Sequence, residues 1–89
     1  MIPQQIELAR HALGLKNGNQ ASYRNRFVAS DKHAEYAQWE AMVAAGHAEK
    51  HDGQFLSFGG LHLFVLTESG ARLALLPGDS LDREDFPNG

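Results

Sequence analysis

The residues best suited to metal binding or proton transfer are five histidines, two of which lie four positions apart. His47 and His51 flank Glu49, so in an extended strand the three side chains would share one face, with His62 one strand away. The helical zinc motif His-Glu-x-x-His is absent, because Ala48 follows His47. We therefore expect surface histidines and no metal site.

Nucleophilic catalysis would require a hydroxyl or thiol beside a base that a third group orients. Ser57 and His62 could face one another across a hairpin, but no carboxylate is placed by sequence to orient the imidazole. The chain has no cysteine, which excludes thiolate chemistry and disulfides. Gly59-Gly60 lacks the lysine and the helix start of a phosphate-binding loop, which indicates a turn. We expect a protein that is not an enzyme and binds no cofactor.

Arg24 and Arg26 are the best candidates for contact with an anion or an acidic partner. Tyr23 and Phe27 lie beside them in the chain, and exposed arginines with aromatic neighbours are enriched at protein interfaces. The alternative is that both arginines are simply solvated on a polar connection.

Charge is unevenly distributed along the chain. Eight basic and eleven acidic residues give −3 overall, yet residues 10–33 hold five cations and one carboxylate, a local +4 that leaves −7 elsewhere. An overall negative charge disfavours phosphate contacts, so nucleic acid is not the favoured partner. The cations that could still contact a nucleic-acid backbone are Lys16, Arg24, Arg26 and Lys32.

The 89 residues allow one domain, and 43% apolar with 21% charged residues is typical of a globular protein. A domain this small buries a modest share of its surface, so a second subunit would help to stabilise it. The first ten residues lack a basic start followed by a long apolar run, and no window approaches 18 continuous apolar residues. We expect a cytoplasmic protein without a membrane partner.

Two major helices and one short helix between them are predicted in the first half of the chain. The first covers about residues 3–13, with Pro3 at its start and Gly14 at its end. Residues 22–29 are read as a short helix, although the Phe-Val pair there also suits an extended turn. The second helix covers about 32–45, with Ser30 and Asp31 as N-cap candidates. Its predicted core face comprises Tyr36, Trp39 and Val43.

A change of period after Gly46 predicts β structure. Residues 48–51 suit a strand, and residues 55–66 suit further strands interrupted by glycines. With Gly59-Gly60 as a two-residue turn, Phe58 would pair with Leu61 and Leu56 with Leu63, and all four side chains would lie on the same face. The other face would carry Phe55, Phe64 and Leu66. Because both faces would be apolar, we expect a homodimer or another protein partner, with Phe55 and Phe58 among the contact residues.

A further helix of two turns is predicted over residues 68–75, capped by Thr67 and ended by Pro77-Gly78. Its Leu73 and the following Leu76 are expected to face inward. Asp, Glu, Pro and Gly dominate the last eleven residues, 79–89. We therefore expect one domain over residues 1–78 and an acidic, mobile tail over residues 79–89.

The order of a helix ending at Gly46, a strand, a glycine-containing wing, a strand and Leu-Thr-Glu-Ser-Gly at 66–70 resembles winged-helix domains. It matches the second half of the MarR-like and PadR-like kinds over about residues 32–76. The resemblance implies an α+β domain with about three helices on a two- or three-stranded antiparallel hairpin or meander. Residues 23–28, 42–46 and Thr67-x-x-Gly70 also resemble small uncharacterised prophage-encoded proteins.

The chain departs from the DNA-binding form of that pattern. A winged-helix reader lays the helix before its wing into the major groove and touches phosphates with basic wing residues. Here that helix would present Glu35 and Gln38 beside Lys32 and His33, and the wing contains no arginine. We expect a non-enzymatic phage- or prophage-type protein that acts through protein contacts, the alternative being a winged-helix DNA-binding protein.

Overall fold

The computed structural model describes residues 1–15, 18–51 and 60–86. Within these ranges, three strands form one antiparallel sheet in the order β1-β3-β2, accompanied by three helices. This arrangement confirms the predicted α+β class. The elements are α1 (Pro3–Leu13), β1 (Phe27–Ser30), α2 (Ala34–Ala44), β2 (Ala48–His51), β3 (Leu61–Leu66) and α3 (Glu68–Leu73).

Helix α1 has the bounds that its local signals predict. Pro3 occupies its first turn, where a missing N–H has no partner to lose. Gly14 ends the helix in the left-handed conformation with a φ of 81°, and its Cα lies against the ring of Tyr23. The buried side of the helix is formed by Ala9, Ala12 and Leu13.

The short helix predicted for residues 22–29 is wrong, because Phe27–Ser30 forms edge strand β1. Phe27 pairs with Phe64 of the central strand β3. Just before β1, the Asn25 side chain donates to the Leu66 carbonyl at 3.0 Å and accepts from the Leu66 N–H at 2.8 Å. Pairing with a distant strand therefore overrides the weak helical pattern.

Helix α2 begins two residues later than predicted, at Ala34. Its N-cap is His33, which makes no side-chain capping bond, so the predicted caps are wrong. The Ser30 hydroxyl instead accepts from the Lys32 N–H at 3.2 Å and stabilises the turn before the helix. The predicted core face is confirmed at Trp39, which is fully buried, and Met42 is a buried residue that the pattern did not identify. Tyr36 and Val43 pack against the core and are partly buried.

The sheet has two faces of different character. We call the face toward the helices the inner face; there the Trp39 ring lies 5.4 Å from Phe64 and 5.3 Å from Phe27, measured between ring centroids. The opposite side of the sheet is the outer face. Alternation along the paired strands assigns to the outer face Val28, Ser30, Glu49, His51, Leu61, Leu63 and Val65.

Helix α3 confirms one prediction and corrects another. The Thr67 hydroxyl accepts from the Gly70 N–H at 3.2 Å, which confirms the predicted N-cap. The predicted inward positions of Leu73 and Leu76 are wrong, since they are 48% and 55% exposed. The helix instead buries the small residues Gly70, Ala71 and Ala74, because Gly70 lies directly against the backbone of His47.

Residues 79–86 pack against the domain, where a mobile tail was expected. The Ser80 N–H donates to the Gln20 carbonyl at 2.7 Å, and the Ser22 N–H donates to the Ser80 carbonyl at 2.9 Å. Phe86 is 4% exposed and belongs to the hydrophobic core, with Leu81 packed beside it. These two apolar side chains provide the anchor that the acidic composition of the segment concealed.

Several predictions fall outside the described residues. They concern Lys16, Phe55, Ser57, Phe58 and the pairing of Phe58 with Leu61 and of Leu56 with Leu63. In the described sheet, the partners of Leu63 are Val28 on one side and His51 on the other. None of the helices in the described ranges combines the length and apolarity needed to cross a membrane.

Candidate interaction surfaces

Arg24 and Arg26 both line a cavity of about 220 Å³ at the C-terminal end of α1. We call this cavity the arginine pocket. Its lining combines cationic, imidazole and apolar groups, which suits a ligand carrying both a negative charge and an apolar part. The lining residues are His11, Arg24, Arg26, Phe27 and Val28.

The two arginines are held differently within the arginine pocket. Arg24 Nη2 donates to the His11 carbonyl at 2.8 Å, and its guanidinium lies 5.3 Å from the centroid of the Tyr23 ring. These contacts fix its orientation, while its Nε is buried with no acceptor among the described residues. Arg26 is exposed, and its side chain has no ion pair or hydrogen bond within the described ranges. Arg24 is thus preorganised, and Arg26 is available for a partner.

A second cavity, of about 330 Å³, adjoins the arginine pocket and has the opposite charge. We call it the glutamate pocket. It shares His11 and Phe27 with the arginine pocket, and these two rings touch edge to face with centroids 5.4 Å apart. The glutamate pocket is lined by Gln4, Glu7, Leu8, His11, Phe27 and Glu35.

The outer face of the sheet carries the exposed apolar side chains that the strand pattern predicts. Val28 is 46% exposed and Leu61 is 38% exposed, while Leu63 and Val65 are partly buried. Phe64 and Leu66, on the inner face, are buried in the core. An apolar stripe therefore crosses the outer face from edge strand β1 to central strand β3.

The histidines do not assemble into the arrangement considered from sequence. His51 and Glu49 share the outer face with 3.4 Å between Nε2 and Oε1, whereas His62 lies on the inner face. His62 Nε2 lies 3.9 Å from a carboxylate oxygen of Asp31. In the described ranges, no group of three potential ligands is close enough to hold a metal ion.

A polar cluster between α2 and β2 was not anticipated from the sequence. The Lys50 ammonium donates to the Glu40 carboxylate and to the Tyr36 hydroxyl, and it lies 5.4 Å from the Tyr36 ring centroid. Lys50 holds the pKa of Glu40 below its ordinary value, and the Glu40 carboxylate raises the pKa of Lys50 and of Tyr36. All three groups are thus kept in their resting protonation states, which suits a structural clamp better than proton transfer. Lys50 lies 10 positions from Glu40 and 14 from Tyr36 in the sequence. Only the packing of β2 against α2 brings Lys50 to these two residues.

Lys32 is exposed in the turn before α2, outside both pockets. Every residue between β1 and β2 is described, and α2 is the one helix there. A helix-turn-helix reader needs two helices joined by a short turn. Strand β1 instead separates α2 from the preceding helix α1, so the described segment lacks that pair.

No protein-family model, no curated protein and no solved structure matches this chain. The functional assignment therefore depends on the geometry of the surfaces described above.

Proposed function

We propose that this protein is a non-enzymatic protein-interaction domain that self-associates through the outer face of its sheet. The observation that carries the proposal is an apolar stripe of two exposed residues, Val28 and Leu61, and two partly buried ones, Leu63 and Val65. None of these four side chains belongs to the hydrophobic cluster that joins the sheet to the helices. Burying a large apolar side chain contributes about 1.5 to 3 kcal/mol, so a covered stripe would add substantially to the stability of a small domain.

A second copy of the chain is the partner that matches this face most simply. A two-fold interface places the same patch on both subunits, so an apolar stripe meets an identical stripe. Within the described residues the sheet is three strands wide, roughly 14 Å at the usual strand spacing, and its longest strand, β3, has six residues, or roughly 20 Å. A face of about 14 Å by 20 Å is small beside the roughly 800 Å² per partner of a typical stable interface, so we expect association in the micromolar range.

Sedimentation velocity across a concentration series tests the proposal. The wild-type protein should shift from monomer to dimer as concentration rises through the micromolar range. Leu61→Asp should remain monomeric, because it places a charge within the apolar stripe at an exposed position. Leu73→Asp is the matched control: it makes the same change on α3 at a residue 48% exposed, and it should dimerise like the wild type. A wild-type protein that stays monomeric throughout would contradict the proposal.

Nucleic-acid binding is the second candidate, favoured by the two guanidinium groups that share the arginine pocket. Binding of this kind should weaken steeply between low and moderate salt through counterion release. Arg26→Ala should weaken binding to all sequences alike, since a phosphate contact carries no base information. A gel shift that is absent, or that salt does not change, would remove this candidate.

A further inference from the structure

The arginine and glutamate pockets adjoin one another and carry opposite charges, with apolar and aromatic side chains between them. Arg24 and Arg26 have no carboxylate partner among the described residues. At the other end, Glu7 is exposed and has no cationic partner in the same ranges. Charges of both signs are therefore left unneutralised in two adjoining pockets that share His11 and Phe27, which together we call the groove.

The middle of this groove is apolar and partly rigid. The Phe27 ring is held between His11, at 5.4 Å, and Trp39, at 5.3 Å, with Leu8 packed against the core nearby. Arg24 is fixed at the cationic end by its bond to the His11 carbonyl and its contact with Tyr23. A ligand would therefore meet a largely preformed surface, which lowers the entropy cost of binding.

We propose that this groove binds an extended protein segment that carries an acidic residue, then an apolar residue, then a basic residue. The carboxylate would lie against Arg24 and Arg26, the apolar side chain against Phe27, and the basic group against Glu7 and Glu35. Gln4 and His11 are seven residues apart on α1, roughly 10 Å of helix, which three or four extended residues can span. Nucleic acid matches the groove less well, because its uniform negative charge would be repelled by the glutamate pocket.

This inference rests on the proposed role in protein contacts but uses a surface centred on α1 instead of the stripe on the outer face. Val28 borders both surfaces, so the tests avoid it. A titration in the monomeric Leu61→Asp background separates the two claims, because the groove should bind equally well there. If the wild type proves monomeric, the groove is still tested by the same titration.

The test is an amide NMR titration with the peptide acetyl-Glu-Gly-Leu-Gly-Lys-amide, compared with acetyl-Gln-Gly-Leu-Gly-Gln-amide. We expect the charged peptide to shift the amides around His11 and Phe27, with a Kd about three to ten times lower than that of the neutral peptide. Arg26→Gln should reduce that difference, because it removes one of the two guanidinium groups that face the carboxylate. Lys32→Gln, which removes an exposed charge outside the groove, should preserve it.

Three results would overturn the inference. The first is that millimolar peptide shifts no amide signals. The second is that Arg26→Gln and Lys32→Gln lower the affinity for the charged peptide equally. The third is that a DNA duplex shifts the same amide signals at a lower concentration than the peptide does. Unchanged melting temperatures of the two glutamine variants would show that a loss of binding is not a loss of folding.

Discussion

Arg10 and Asp79 form an ion pair that joins the first helix to the C-terminal segment, 69 positions away along the chain. Arg10 Nη1 also donates to the Ala74 carbonyl at 2.8 Å, and the Asp79 carboxylate accepts from the Leu76 N–H at 2.9 Å. The side chain of Asp79 is 4% exposed. The pair therefore fastens the segment after α3 onto α1, with Arg10 Nη1 and Asp79 Oδ2 each making a second hydrogen bond to the backbone.

Asp79→Asn should destabilise the protein at neutral pH, since it leaves the Arg10 guanidinium without its counter-charge. The guanidinium, followed by the Leu76 N–H, holds the pKa of Asp79 below its ordinary value. The stabilisation is therefore complete above the unfolded-state pKa, about 3.9, and is lost as pH falls through the lower folded-state pKa. Urea denaturation should show a clear deficit for the variant at pH 7 that shrinks progressively below about pH 4.

Asp85→Asn is the control for that experiment, because Asp85 is an exposed carboxylate in the same segment. It should unfold at nearly the same urea concentration as the wild type at both pH values. An Asp79→Asn deficit that persists undiminished at low pH would show that the ion pair is not its cause.

Phe86→Ala should lower the free energy of unfolding by about 3 kcal/mol, the usual cost of removing a buried aromatic side chain. Phe86 is 4% exposed within the core cluster, although it follows four acidic residues in a segment expected to be mobile. Chemical denaturation measures the change, with exposed Arg83→Ala as the control. Truncation after Gly78 should destabilise at least as strongly; an unchanged melting temperature would mean that residues 79–86 are the mobile tail first expected.

Gly70→Ala should destabilise more than Gly46→Ala, for a purely steric reason. A Cβ on Gly70 would lie 2.8 Å from the carbonyl carbon of His47 and would clash with its oxygen. Overpacking of this kind costs about 3 kcal/mol where the backbone cannot yield. Gly46 has a φ of 81° but open space around it, so alanine there should cost only about 1 kcal/mol. Thermal melts of the two variants give the order, and the reverse order would show that α3 does not dock on His47.

Features set by neighbouring residues were predictable from the sequence. Pro3 and Gly14 mark the ends of α1, and Thr67 marks the start of α3, because a cap or a special backbone angle acts within a few residues. The alternation in β3 likewise predicted two apolar faces, but it did not indicate which of them the helices cover.

Features set by contacts between distant residues were not predictable. Strand β1 depends on pairing with β3 and on the Asn25 side chain, which binds Leu66 across 41 positions. Arg24 and Arg26 were identified as contact residues, but their pocket with His11 forms only when α1 packs beside β1. Leu81 and Phe86 were the only apolar signals in the sequence that the C-terminal segment could be anchored.

The central claim, self-association through the outer face, is tested most directly by the dependence of melting temperature on protein concentration. Binding between folded subunits stabilises them by mass action, so the melting temperature of the wild type should rise by several degrees from micromolar to several hundred micromolar protein. The melting temperature of Leu61→Asp should not change with concentration, while that of Leu73→Asp should follow the wild type. A wild-type melting temperature that is constant over this range would contradict self-association through this face.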